Sequence, residues 1–262
     1  MTGWKSCYYC GKPVRGRNKE HVPPRIMFAP FSNDSITVPS CKRHNQDRST
    51  DDQTMVYALL IPLRNMMAKG RQIEKPDVVK AVDYARPNLD QVRRRAFSAS
   101  FLTTPPRSLK DMPETSYVTN QRAMEDWVRK ITAGLVYHAV GDYDRVISWD
   151  RSIVWLFDWL ASASSAGLKF RDAMWILSNK EDLRSELDRL SWLEGWSAYP
   201  NAYPEDIYSF WLTVRTRDAV IWHRFYNSFN FYVQFSASSS TLASLREKAE
   251  WWQVVKTQPK NP

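Results

Sequence analysis

Two short cysteine-containing motifs constrain this chain most strongly. Cys7 and Cys10 are separated by two residues, and Cys41 and His44 repeat that spacing further along the chain. Two intervening residues allow one tight turn to direct both side chains at the same ion, and Gly11 suits such a turn. The spacing predicts a structural zinc site with three thiolates and one imidazole, because three thiols that only filled a core would need no paired spacing.

Basic side chains are concentrated in the same segment. The chain carries 37 Lys and Arg residues against 28 Asp and Glu residues, a formal net charge of +9. Residues 1–50 hold nine of the basic and three of the acidic side chains, so most of the excess lies there. A concentrated positive field favours a polyanion such as nucleic acid as partner, although a basic face can also be merely solvated. Three cysteines cannot all pair, which argues against a disulfide framework.

The apolar stretches of the chain are short. The longest, such as residues 55–63, fall well below the roughly 20 residues that a membrane helix needs. The N-terminus also lacks the apolar core of a signal peptide. We therefore expect no membrane association and a cytoplasmic location.

Composition divides the chain into three regions: a zinc-binding module (1–52), a helical connector with a linker (53–115) and an accessory domain (116–262). In the connector, a helix is predicted after Ser49 or Thr50, and further helices are predicted after Pro76 and after Pro87. Residues 103–116 have no periodicity and predict a linker or an ordered loop.

The accessory domain combines helical and strand patterns. Residues 120–140 place apolar side chains along one helical face and end at Gly141, which suits a C-cap. Residues 206–236 are dense in aromatic and β-branched side chains and predict two or three antiparallel strands. The fold class is therefore expected to be α+β. His138 and His223 lie in these elements and are predicted to be packed rather than catalytic.

A third motif, KEHVPPR at residues 19–25, lies between the two metal-binding pairs. Taken together, a Cys-x2-Cys pair, a Glu-His dipeptide and a Cys-x2-His-Asn cluster resemble the HNH endonucleases of the ββα-metal superfamily. The resemblance covers about residues 7–52. EHVPP resembles the family's Asp-His-Ile-x-Pro signature, and HNQDRS resembles the start of the family's helix, which carries a metal-binding Asn or His.

The resemblance implies a zinc-stapled ββα (HNH) module that hydrolyses phosphodiester bonds, with double-stranded DNA favoured as the partner over RNA. Carried over to this chain, His21 would be the general base, while Glu20 and Asn45 would hold one catalytic Mg²⁺ or Mn²⁺ ion. An imidazole titrating near neutral pH and hard oxygen ligands suit those roles. Asn33 is the nearest match to the family's middle Asn, although it lies further before Cys41 than that pattern expects.

Some residues of the segment allow two interpretations. If no zinc binds, His44 becomes the candidate catalytic ligand and Asn45 a bystander. Asp51 and Asp52 are either extra metal ligands or favourable first-turn residues of the following helix. Six basic residues are candidates for neutralising substrate phosphates, or else form a solvated surface: Arg17, Lys19, Arg25, Lys42, Arg43 and Arg48.

Three classes of function follow. The resemblance favours a metal-dependent endonuclease, with a bacterial or phage nuclease acting on foreign DNA as its setting. The first alternative is a zinc-knuckle protein that binds nucleic acid without cutting it. The second is an interaction module with a degenerate nuclease domain, in which the aromatic C-terminal half binds a protein partner or a second copy of the chain.

Overall fold

The computed structural model describes residues 4–15, 18–31, 36–45, 49–68, 70, 72–98, 121–158, 197–198, 204, 206–226 and 229–257. Within these residues the chain forms four α-helices, two small hairpins and one five-stranded sheet. The expected α+β class is confirmed. Within the same residues, no helix combines the length and the apolar character needed to cross a membrane.

The N-terminal segment forms two antiparallel hairpins. Strand β1 (Trp4–Ser6) pairs with β2 (Pro13–Arg15), and β3 (Lys19–Val22) pairs with β4 (Ile36–Pro39). Because side chains alternate along a strand, one face of the second hairpin carries the buried residues and the other carries the more exposed ones.

Two helices follow the hairpins and pack against each other: α1 (Ser49–Ala68) and α2 (Pro76–Ser98). Helix α1 begins where the sequence predicts it. The prediction of a separate helix after Pro87 is wrong, because Pro87 lies inside α2. A proline removes one main-chain donor without necessarily ending a helix, and an ion pair between Asp83 and Arg86 spans the turn just before it.

In the C-terminal part, the described residues form a sheet and two helices. Helix α3 (Gln121–Val140) ends at Gly141, whose φ of +84° suits the predicted C-cap. The sheet is antiparallel throughout, in the order β5-β9-β8-β7-β6. Its strands and the final helix have these bounds: β5 (Ile153–Asp158), β6 (Ser197–Ala198), β7 (Tyr208–Val214), β8 (Asp218–Phe225), β9 (Phe229–Ser236) and α4 (Ser239–Thr257). The strands predicted over residues 206–236 are confirmed as β7, β8 and β9, while β5 and β6 extend the sheet beyond that prediction.

Helix α3 joins the two halves of the molecule. It packs against β3 and β4 of the N-terminal segment, and against β5, β9 and α4 of the C-terminal part. Gly134 permits the first contact, because a Cβ atom there would overlap the side chain of Val22. The buried core is therefore continuous across the predicted boundary at residue 52. That boundary and the one at residue 115 stay predictions, and the predicted linker lies outside the described residues.

The two C-terminal histidines differ in their surroundings. His223 is fully buried, with Nε2 lying 2.8 Å from Thr132 Oγ1 and Nδ1 lying 2.8 Å from the Tyr208 hydroxyl. The Thr132 hydroxyl donates to the Val128 carbonyl, so it accepts from Nε2–H, and Tyr208 donates to Nδ1. His223 is packed as predicted. The same prediction is wrong for His138, which is exposed beside a surface cleft at the end of α3.

Candidate metal centre and the strand that carries His21

Four side chains from two turns converge beside the hairpins: Cys7, Cys10, Cys41 and His44. Their donor atoms all lie within 4.8 Å of one another. His44 Nδ1 lies 3.7 Å from Cys7 Sγ and 3.2 Å from Cys41 Sγ, and the sulfurs of Cys10 and Cys41 are 3.9 Å apart. Tetrahedral zinc, with bonds of about 2.3 Å to sulfur and 2.0 Å to nitrogen, places its donors roughly 3.5–3.8 Å apart. The predicted ligand set is therefore brought together, and three of its donor pairs lie near the spacings of a zinc site.

The first turn of this centre depends on a glycine. The amide of Gly11 donates to the Cys7 carbonyl over 2.9 Å, and the Cys7 amide donates to the Lys12 carbonyl over 2.8 Å. Gly11 has a φ of +70°, a backbone conformation that residues other than glycine rarely adopt. The ring of Tyr143 also occupies the space that a Cβ atom at this position would need. The turn is thus fixed by its own hydrogen bonds and by a residue that follows α3.

The second turn places two neighbouring residues in different environments. The amides of His44 and Asn45 both donate to the Cys41 carbonyl over 3.0 Å. His44 is buried, and its ring centroid lies 4.8 Å from that of Tyr9. Asn45 is half-buried and donates its side-chain amide to the Lys19 carbonyl over 2.9 Å. The turn that supplies the last metal donor therefore also anchors Asn45 to β3.

Burial disfavours an isolated thiolate at Cys7. Burial raises the pKa of the Cys7 thiol to about 12. A thiolate is needed to bind metal, and a cation is the group that stabilises a thiolate in such surroundings. Three thiolates and an imidazole are also a donor set that zinc accepts in structural sites.

The carboxylate of Glu20 points into the interior. Its Oε1 atom lies 2.5 Å from the Nζ atom of Lys130 on α3, and its Oε2 atom accepts a 3.0 Å hydrogen bond from the Ser40 hydroxyl. Lys130 Nζ also lies 3.1 Å from Oδ2 of Asp52, in the first turn of α1. Burial raises the pKa of both carboxyls, and the Lys130 ammonium opposes that rise. The three charged groups therefore link β3, α1 and α3 to one another.

His21 lies on the opposite, more exposed face of β3. It stands directly across from Thr37 of β4. Partial burial, and then the charge of Arg25, lower the pKa of the imidazole. The Lys19 carbonyl that accepts from Asn45 lies two residues away on the same strand, about 7 Å by the rise of a β-strand.

The predicted ligands of the catalytic ion do not face a common point. Glu20 is directed towards Lys130 and Ser40, whereas the side chain of Asn45 lies against the backbone of β3. Both side chains are thus held by groups of the protein in this structure. Their assignment as ligands of a single Mg²⁺ or Mn²⁺ ion stays a prediction, as does that of His21 as the base.

The other predicted site residues are spread around the module. Four of the six basic residues are described and exposed: Lys19, Arg25, Lys42 and Arg43. The remaining predictions fall outside the described residues: Arg17, Asn33 and Arg48. Their proposed roles stay predictions.

Sequence reasoning missed Lys130 as a partner of the EHVPP motif. It lies beside a cleft of about 410 Å³ that is also lined by Arg43, Asp51 and Asp126. The available signal was a lysine among the apolar positions of α3, between Trp127 and Ile131. A lysine that is only 5% exposed requires a charged or polar partner.

Comparisons of this chain with protein-family models, with curated proteins and with solved structures gave no match.

Proposed function

We propose that this chain is an HNH-type endonuclease, with its hydrolytic centre on the exposed face of β3. One observation carries the proposal. The turn that contributes Cys41 and His44 to the four-residue cluster also holds Asn45, and Asn45 is hydrogen-bonded to β3, the strand of His21. The order of hairpin, metal-binding turn and helix α1 also agrees with a ββα module.

The hydrolytic step assigned to His21 is proton abstraction. A neutral imidazole, favoured by the lowered pKa, accepts a proton from water as the water oxygen attacks phosphorus. The bond from phosphorus to the 3′ oxygen breaks, and the leaving oxygen takes a proton from solvent, which leaves a 5′ phosphate and a 3′ hydroxyl. Lys19 and Arg25 lie on or beside β3 and are assigned to neighbouring phosphates. DNA is the proposed substrate, and a requirement for Mg²⁺ or Mn²⁺ is implied only by the resemblance.

A second candidate function is a zinc-stabilised module that binds nucleic acid without cutting it. The observation that favours it is the ion pair between Glu20 and Lys130, because it occupies the carboxylate that the nuclease interpretation assigns to a metal ion. Binding would need the exposed cations of the module but neither Glu20 nor His21. The third class, a protein-interaction module, gains no specific support from the described residues.

Purified protein and the His21→Ala variant distinguish these functions. Each is incubated with plasmid DNA and with RNA, in the presence of Mg²⁺, Mn²⁺ or neither, and binding is measured alongside cleavage. The proposal expects cleavage by the wild type only, with unchanged zinc content, melting temperature and DNA affinity in the variant. Equal cleavage by both proteins would reject His21 as the base. Binding without cleavage by the wild type in every condition would favour the second candidate.

A further inference from the structure

A second cleft, also of about 410 Å³, lies between the N-terminal hairpins and the end of α3. Strands β1 and β4 form one side, where Trp4, Lys5 and Thr37 contribute. Tyr137 and His138 from the last turn of α3 contribute to the other side, together with Asp142. The volume falls in the usual range for small-molecule sites, about 300–1,000 Å³. No zinc donor and no member of the Glu20 ion-pair network lines this cleft.

Trp4 is unusually accessible for its size. Its side chain is 69% exposed, the highest value among the large apolar side chains of the described residues. An exposed tryptophan on a hairpin offers a flat apolar surface, and aromatic side chains of this kind stack against unpaired nucleobases.

The charges around Trp4 suit a polyanion. Lys5, Lys12 and Arg15 are exposed on the same hairpin, and Arg15 stands directly across from Trp4 in the β1–β2 register. Residues 4–15 contain no acidic side chain. Asp142, at the other side of the cleft, disfavours a phosphate there and suits an amino group on a base edge.

The position of the cleft relates it to His21. Thr37 lines the cleft and stands directly opposite His21 in the β3–β4 register. Residues paired in this way have Cβ atoms about 5 Å apart. A group bound at Thr37 would therefore be a close neighbour of a phosphate positioned at His21.

A second aromatic group in the chain offers a different surface. Trp211, Trp222 and Tyr232 follow one another across strands β7, β8 and β9, with ring centroids 4.1 Å and 5.7 Å apart and interplanar angles of 23° and 7°. Arg224 lies over the ring of Trp211. Because these rings stack on each other, much of their face area is already used, whereas Trp4 presents an exposed surface.

We propose that this cleft binds an unpaired nucleobase of a DNA strand against Trp4, with Lys5 and Arg15 contacting the adjoining phosphates. The placement of that base next to a scissile phosphate rests on the proposed function, but the binding itself does not. The nucleic acid would thus enter with a melted or single-stranded segment beside β4.

Binding to matched oligonucleotides tests the proposal. Fluorescence anisotropy of labelled DNA is measured without added divalent ions, in the His21→Ala background so that no strand is cut. Three ligands are compared: a single strand, the same strand with abasic sugars in place of its nucleosides, and the blunt duplex. The proteins are the parent, Trp4→Ala, Trp4→Phe and Tyr84→Ala, the last removing an aromatic side chain that is 53% exposed on α2.

The parent should prefer the base-bearing strand to the abasic one, and Trp4→Ala should lose at least about fivefold in affinity for the base-bearing strand alone. Trp4→Phe should keep most of that preference, and Tyr84→Ala should match the parent. The proposal is overturned if the parent binds no DNA, if it binds both strands equally, or if Trp4→Ala keeps the preference. Cleavage is measured in a separate experiment. The proposed nuclease activity can therefore fail while base binding at Trp4 is observed, and base binding can fail while cleavage is observed.

Discussion

Removing the Lys130 ammonium should destabilise the protein far more than removing an exposed lysine. In the Lys130→Met variant, the buried carboxylate of Glu20 and the half-buried carboxylate of Asp52 would both lose their shared cation. Breaking a buried ion pair from one side costs about 3–5 kcal/mol, because an uncompensated charge stays behind. For a chain of this size that loss corresponds to a fall in melting temperature of roughly 6–20 °C. Urea unfolding followed by tryptophan fluorescence measures the change.

Two further variants make this test specific. Lys75→Met removes an ion pair to Asp206 in which the lysine side chain is 46% exposed, so the loss should stay below about 1 kcal/mol. Adding Glu20→Gln to Lys130→Met removes one stranded charge and should recover at least about 1 kcal/mol. A loss below about 1 kcal/mol in Lys130→Met, or no recovery in the double variant, would show that these charges are not coupled as the structure places them.

Three other changes have clear expected outcomes. Cys41→Ala should abolish zinc binding, measured by mass spectrometry of the native protein, and lower stability by several kcal/mol, since zinc binding in such segments supplies folding free energy. Gly134→Ala should lower the melting temperature despite the better helix propensity of alanine, because its Cβ atom would overlap Val22; Gly134→Ala combined with Val22→Ala should recover part of the loss. Burial lowers the pKa of His223 to about 3, so the unfolded chain takes up a proton that the folded chain does not. His223 alone should therefore lower the stability by about 1.4 kcal/mol per pH unit as the pH falls from ~6.5 towards the folded-state pKa. Unfolding curves at several pH values should show a shallower slope in His223→Gln.

The sequence predicts the clustering of Cys7, Cys10, Cys41 and His44, because the spacing within each pair is local. Two residues between donors define a turn, and Gly11 marks the one position where that turn needs a positive φ. The central strands and α3 are likewise predicted, because alternation and helical periodicity are properties of a short window. Pro87 shows the limit of local rules, since a helix can continue past a proline when the flanking residues favour it.

The surroundings of the EHVPP motif are not predictable in the same way. Adjacent residues of a strand point to opposite faces, so Glu20 and His21 cannot both face the same groove without a bend in β3. Which face becomes buried depends on α3, a helix from a later part of the chain that brings Lys130 to Glu20. A motif therefore identifies the residues of a candidate site, but the elements that pack on it decide which of them are accessible.

The position of α3 between the N-terminal hairpins and the C-terminal sheet has a calorimetric consequence. Elements that share one helix as a packing partner cannot melt independently, so a single endotherm is expected, with equal van't Hoff and calorimetric enthalpies. If zinc occupies the cluster of Cys7, Cys10, Cys41 and His44, a chelator that removes it should shift the whole endotherm, including the transition of the C-terminal strands. Thermal tolerance of the C-terminal half would be governed by a metal to which it contributes no ligand.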